Sequence, residues 1–278
     1  GIEFLRRLMP QYPLPVVMIS GYGENVFEAL NAGAVDFVAK PDVLRPYGMD
    51  SLINELIVKI KIASTVKVGH WKKSRGIAMP LGRVSPGTQD RLIAIGASTG
   101  GTEAIFQLLS SFSVETPGIV IVQHMPPGFT DMFAQRLNKS CAMEVKEART
   151  GDAVFAGRVL IAAGDCHMRI RRSGNKYMAE CQQGEKVSGH CPSVDVLFNS
   201  VADSAGSKGI GVILTGMGSD GAQGLLAMRK RGALTIGQDE KTCIVYGMPK
   251  VAYDIGAVMK QVPLQNIPQT VYSLLGQG

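Results

Sequence analysis

The chain has 278 residues, 45% hydrophobic and 6% aromatic, with a formal net charge of +6, an ordinary globular composition with room for one large or two ordinary domains. No apolar run approaches the roughly 20 residues of a membrane-spanning helix, no basic-then-apolar leader stands at the front, and five cysteines without a C-x-x-C pair suit reduced cytoplasmic thiols better than a disulfide or zinc framework. The charge does not point to nucleic acid, because seven basic residues and no acidic one fall between Lys59 and Gln89 and leave the rest near neutral.

Residues 1–65 alternate helix and strand: a helical start at 2–8, an apolar strand at 16–19, an amphipathic helix at 25–32, a short strand at 36–38 and a closing helix at 51–62. This is parallel-sheet material. Ser20 stands at the end of the first strand, Lys40-Pro41 ends the second, and Ala32-Gly-Ala-Val-Asp-Phe-Val-Ala-Lys-Pro41 runs between them. The phrase resembles the second half of a flavodoxin-like response-regulator receiver domain, in which a hydroxyl and a lysine at two strand ends hold a phosphoryl group on an aspartate. The resemblance implies Ser20 and Lys40 as those ligands and a cis Lys40-Pro41 peptide. The strands that would bring the acidic pair and the phosphoacceptor aspartate precede Gly1, so a partial receiver is expected, unable to be phosphorylated in the family's way.

Residues 66–89, basic and containing Gly, Pro and Ser, read as a solvated linker. From residue 90 to 278 the alternation resumes, with strands expected at 92–95, 119–123, 143–146 and 210–214 and helices after all but the third. Residues 159–181, with Ser173-Gly-Asn175 as a turn, read as a β-hairpin laid onto the main sheet. The expected fold is a doubly wound, mostly parallel α/β sheet with an antiparallel addition.

The first of these strands ends in Gly96-Ala-Ser98-Thr-Gly100, a strand, tight turn and helix start that would leave the Ser98 hydroxyl exposed at the strand's carboxyl end. The N–H groups of the following helix would point at the same spot, as a developing oxyanion needs. Ser98 is thus a candidate nucleophile, and it needs a histidine and an orienting carboxylate. Of four histidines, His70 lies in the linker, His167 begins a hairpin strand, and His190 precedes a helix where it could line a groove. His124 follows Gly118-Ile-Val-Ile-Val-Gln at a strand's carboxyl end, the edge where open α/β sheets bind ligands. Cys191 has no strand-to-helix elbow to present it as a nucleophile. Among carboxylates, Asp220 in Leu214-Thr-Gly-Met-Gly-Ser-Asp220-Gly reaches the same edge; Asp165 and Asp195 are alternatives for which a capping role suffices.

Together, Ile95-Gly-Ala-Ser-Thr-Gly-Gly-Thr-Glu-Ala, Val122-Gln-His-Met-Pro-Pro-Gly-Phe-Thr130, His190-Cys-Pro-Ser-Val-Asp-Val-Leu-Phe198 and Leu214-Thr-Gly-Met-Gly-Ser-Asp-Gly-Ala222 closely resemble the chemotaxis protein-glutamate methylesterases. With the receiver half and linker in front, the resemblance covers essentially the whole chain. It implies Ser98 as nucleophile, His124 as general base and acid, Asp220 as orienting carboxylate, Met217 beside the oxyanion through its backbone N–H, and Thr99 next to the site. It further implies hydrolysis of γ-glutamyl methyl esters, and deamidation of glutamines, on the cytoplasmic region of methyl-accepting chemoreceptors, with no metal, cofactor or nucleic acid. The chemotaxis histidine kinase would be a partner through an intact receiver, and the membrane would be approached only through the receptors. In Ala162-Ala-Gly-Asp-Cys-His167 the family more often has proline after the first alanine. The alternative is a nicotinamide-dependent short-chain oxidoreductase, suggested by Gly96-Ala-Ser-Thr-Gly-Gly and by Tyr246-x-x-x-Lys250. Gly247-Met-Pro249 between that pair argues against a continuous helix, and His124 stands where a ribose-binding acid would be needed.

Overall fold

The computed structural model describes residues 1–21, 25–40, 48–66 and 90–276. Pro41 and most of the expected linker, residues 67–89, lie outside the described residues. The chain divides into two compact units, Gly1–Gly76 and Ile77–Gly278. Among the described residues, no helix is long and apolar enough to cross a membrane.

The first unit consists of α1 (Ile2–Gln11), β1 (Val17–Ser20), α2 (Asn25–Asn31), β2 (Asp36–Ala39) and α3 (Gly48–Ser64). Strands β1 and β2 pair in parallel from Val17 opposite Asp36 to Ser20 opposite Ala39. Leu5, Met9, Phe27, Leu30, Phe37 and Val38 are buried, while Ile19 and the α3 residues Ile53, Ile57, Val58 and Ile60 stay exposed. Within α3 the Lys59 ammonium meets Asp36 and Glu55, each at 3.0 Å.

The second unit runs through β3 (Leu92–Ala97), α4 (Gly101–Ser110), β4 (Gly118–Gln123), α5 (Phe129–Ser140), β5 (Glu144–Glu147), β6 (Ala153–Val154), β7 (Arg158–Ile161), β8 (Cys166–Ser173) and β9 (Lys176–Gln183). It continues through α6 (Val194–Ala205), β10 (Gly209–Ile213), α7 (Ala222–Lys230), β11 (Leu234–Gln238), α8 (Met248–Asp254), β12 (Lys260–Val262) and α9 (Ile267–Leu275). Seven strands form a sheet in the order β12-β11-β10-β3-β4-β7-β5, every pairing parallel. Strands β3, β4 and β10 are buried at every residue, which is why they read as unbroken apolar runs. On one face Leu92, Ala94, Val120 and Val122 share a core with Val194, Leu197 and Phe198 of α6 and Leu225 and Met228 of α7. By alternation Ile93, Ile95, Ile119 and Ile121 face the other side.

The sequence reading of residues 159–181 needs correction. Arg158–Ile161 is not part of the hairpin; it is β7, inserted in parallel between β4 and β5, because Val-Leu-Ile buried on both faces suits a central strand. The hairpin is β8 with β9, closed by Gly174-Asn175 with Ser173 opposite Lys176. With β6 it forms a separate three-stranded antiparallel sheet whose Met168, Ile170, Tyr177 and Ala179 join the α6 core. Strands β11 and β12 were not foreseen.

The chain leaves β3 for β4 on one side and later returns through β10 on the other. Such a reversal of strand order opens a crevice at the carboxyl ends, where open α/β sheets place their ligands.

Candidate active site

Sheet register brings the predicted residues together. Ala97 pairs with Gln123, so Ser98 and His124 are the next residues out, and the His124 N–H donates to Ala97 O at 3.1 Å. On the other flank Gly96 pairs with Ile213, and Ser98 N–H donates to Thr215 O at 3.0 Å. Ser98 therefore sits between the chain segments that carry His124 and Asp220. Its carbonyl accepts from Gly101 N–H at 2.7 Å and from Gln123 Nε2 at 3.0 Å.

The two glycines of the turn do different work from that expected. Gly100 takes the bend, at φ 79° as the residue that caps α4. Gly96 is still inside β3, and its missing side chain makes room: a Cβ there would lie 2.2 Å from Val194 Cγ1 and 3.2 Å from Phe198 Cζ.

His124 Nε2 lies 2.8 Å from Asp220 Oδ2, and its Nδ1 is buried without a hydrogen-bond partner among the described residues. Asp220, 1% exposed, is held at the N-terminus of α6. Its Oδ1 accepts from Ser193 Oγ at 2.7 Å and Asp195 N–H at 3.0 Å, and its Oδ2 also accepts from Val194 N–H at 2.7 Å. Burial alone would push the Asp220 pKa up, but the hydrogen bonds and charge of His124 and the donors of Asp195 and Ser193 outweigh it and hold the carboxyl below its usual range. An ionised carboxylate only accepts, so Nε2 carries the imidazole hydrogen and Nδ1 presents the lone pair. The other two carboxylates are placed elsewhere. Asp195 accepts from Gly224 N–H at 2.7 Å and from Ser188 Oγ at 3.3 Å, burial raising its pKa; Asp165 is an exposed turn residue at φ 61°.

His167 is structural: Nε2 meets Glu185 O at 2.8 Å and Nδ1 accepts from Ser193 N–H at 3.2 Å, steadying the residue that caps α6. His190 is nearer the centre than the sequence suggested, its ring stacked on His124 at 3.7 Å between centroids and 13° between planes. Burial pushes the Cys191 thiol up, against a thiolate there. Thr99 is buried and its carbonyl accepts from Thr215 Oγ1 at 3.0 Å. Gly216 packs against the serine, where a Cβ would lie 2.8 Å from Ser98 Cβ. Met217, 49% exposed, follows directly.

Two residues of the site escaped the sequence reading. Gln123 is 3% exposed, and its amide bridges the carbonyls of Ser98 and His124 at 3.0 and 3.1 Å. Thr215 is fully paired, donating its N–H to Gln238 Oε1 at 2.8 Å and accepting Val245 N–H at 2.9 Å on its hydroxyl. Both are polar residues closing an apolar strand, the one signal the sequence held for them.

The CheB methylesterase family model matches residues 93–271. The chain belongs to that family. It is 62% identical over 277 residues to a protein of Syntrophomonas wolfei named protein-glutamate methylesterase/protein-glutamine glutaminase 2, covering 100% of this chain and 81% of that one. A protein-glutamate methylesterase/protein-glutamine glutaminase of Salmonella typhimurium is 44% identical over 283 residues, covering 100% and 80%. The crystal structure of the Thermotoga maritima CheB methylesterase catalytic domain aligns with a TM-score of 0.65 at 36% identity, over 66% of this chain and 98% of that one.

Membership of the CheB family overturns the oxidoreductase alternative, and the local structure agrees. Tyr246 precedes α8, which Gly247 caps, while Lys250 lies within it. Gln261 Nε2 donates to the Tyr246 hydroxyl at 2.6 Å and Lys250 Nζ to Asp254 at 2.6 Å, so the two do not form a catalytic pair.

The half-buried imidazole stack has a consequence for acid stability. Burial, then the neighbouring His124, pushes the His190 pKa down to about 4 from 6.5, against the pull of Asp220 and with Lys186 adding a smaller push. Because the folded value lies below the unfolded one, the unfolded chain binds the extra proton between them. Stability therefore falls as pH drops from 6.5 towards 4. His190→Phe is expected to lose that part of the slope, so its melting temperature should approach or overtake that of the wild type on acidification. Parallel curves for the two proteins between pH 7 and 4.5 would count against a depressed His190.

Proposed function

We propose that the protein is a serine-dependent protein-glutamate methylesterase and protein-glutamine glutaminase, acting in the cytoplasm on chemoreceptor side chains. The observation that carries the reading is the His124 imidazole anchored to ionised Asp220 through Nε2, with unpartnered Nδ1 on the rung beside Ser98. In this reading Nδ1 takes the Ser98 proton as Oγ attacks the γ-carbonyl of a methylated glutamate. The tetrahedral oxygen is met by N–H groups at the glycine turn and at Met217. On collapse His124 gives the proton to the departing methoxide oxygen, releasing methanol, or to the amide nitrogen, releasing ammonia, when the side chain is glutamine. Water, deprotonated by the same nitrogen, then hydrolyses the acyl-enzyme and restores the carboxylate.

Residues 1–65 are read as the second half of a receiver domain, 66–89 as a basic linker and 90–278 as the catalytic domain. In support, Ser20 ends β1, Lys40 directly follows β2, and Lys40 N–H donates to Ser20 O at 2.7 Å. In this reading Ser20 and Lys40 are the family's two phosphoryl-site ligands on one strand edge, and the chemotaxis histidine kinase is a partner through an intact receiver.

The test is methanol release from receptor-containing membranes methylated with a labelled methyl group. Wild type is expected to release it and Ser98→Ala to match the membranes alone. Equal release by both proteins would refute the serine mechanism.

A further inference from the structure

We propose that His190 is a positioning residue for the reaction: lying flat on His124, it fixes the plane of that imidazole so that Nε2 stays on Asp220 while Nδ1 stays open to Ser98. The inference rests on the reading of Ser98, His124 and Asp220 as the catalytic set, and extends it to a residue from a different loop.

An imidazole held by a single hydrogen bond can still rock about the axis of that bond. The Nε2 to Oδ2 contact fixes one corner of the His124 ring; a second ring 3.7 Å away and 13° from parallel blocks motion out of the plane on that side. Aromatic pairs left to themselves prefer offset or tilted arrangements at about 4.5–7 Å between centroids, so this close face-to-face pair is imposed by its surroundings. His190 is gripped at its backbone, where Val187 and His190 exchange both hydrogen bonds at 3.0 and 2.9 Å. The two residues between them, Ser188 at φ 53° and Gly189 at φ 82°, form a tight turn. Ser188 Oγ then ties the turn to Asp195 in the first turn of α6, and the neighbouring Ser193, Val194 and Asp195 supply the donors that hold Asp220. One short segment, 187–195, thus fixes both the far corner and one face of His124.

The stack suits the reaction only if His190 is uncharged when His124 carries the transferred proton. Burial and its neighbour keep His190 neutral near pH 7, and a neutral ring offers its π face to the imidazolium instead of repelling it.

The experiment compares wild type, His190→Ala, His190→Phe and Ser98→Ala of the full chain on methylated receptor membranes, with melting temperatures measured alongside. His190→Ala is expected to lower kcat about 10- to 100-fold with KM within about twofold, since misaligning a catalytic group costs rate more than binding. His190→Phe should recover kcat to within about threefold of wild type, because a flat ring without nitrogen still supports the stack. A raised KM with unchanged kcat in His190→Ala would make His190 a substrate contact and overturn the proposal, as would failure of phenylalanine to recover what alanine loses in a protein that melts normally. Activity retained by Ser98→Ala would instead sink the catalytic reading itself.

Discussion

Ser98→Ala and His124→Ala are each expected to lower turnover about 10⁵-fold or more, and Asp220→Asn about 10⁴-fold, the pattern for a nucleophile, its base and the carboxylate that orients the base. The serine change should leave folding intact, because Ser98 is half-exposed and its hydrogen bonds with Thr215, Gly101 and Gln123 are made by its backbone. Asp220 differs. Its two oxygens receive four hydrogen bonds, from His124, Ser193, Val194 and Asp195, and asparagine presents an NH₂ group to one pair of those donors. If the NH₂ faces Nε2, the imidazole hydrogen is driven to Nδ1, the nitrogen that accepts the serine proton in the proposed mechanism, and Val194 N–H loses its acceptor; if it faces Ser193 and Asp195, those two donors are left unsatisfied. Asp220→Asn is therefore expected to be both slow and less stable by about 1–3 kcal/mol. Kinetics on methylated receptors together with thermal melts check all three. A His124→Ala protein as active as His190→Ala would show that the base is misassigned.

Gly96→Ala should damage the enzyme out of proportion to one methyl group. The added Cβ would overlap Val194 Cγ1 at 2.2 Å and crowd Cγ2 at 3.0 Å. Strand β3 cannot retreat, since Gly96 is paired on both sides, with Ile213 and with Val122. Val194 is the first residue of α6 and β-branched, so it has little rotamer freedom in a helix; the helix end must move. Overpacking of this kind costs about 1–3 kcal/mol, and it shifts the very N–H groups that hold Asp220. A fall in melting temperature of about 4 °C or more is expected for a unit of this size, with kcat down about 100-fold through misplacement of the Asp220 and His124 pair. Wild-type melting and turnover in Gly96→Ala would show that α6 yields without disturbing the site.

The sequence by itself determined where the candidate site would lie along the chain. Fully buried parallel strands are written as short apolar runs, so their carboxyl ends, and with them Ser98, His124 and the approach to Asp220, could be located from the points where those runs stop. The hairpin around Gly174-Asn175 was legible for a similar local reason, a turn flanked by strands of period two. Neighbouring strands were a different matter. That Arg158–Ile161 enters the parallel sheet while Cys166–Ser173 leaves it, and that β10 returns beside β3, depend on pairings between segments far apart in the chain, which local periodicity does not encode. Strand β12, only Lys260–Val262 and largely exposed, carries almost no apolar signal of its own. The tertiary structure alone decided which imidazole nitrogen meets the carboxylate, why Gly96 must lack a side chain, and that Gln123 ties the Ser98 and His124 turns together. It also decided that His190 rests on His124: a residue 66 positions further along the chain reaches that ring only because α6 packs across β3 and sets its N-terminus against Asp220.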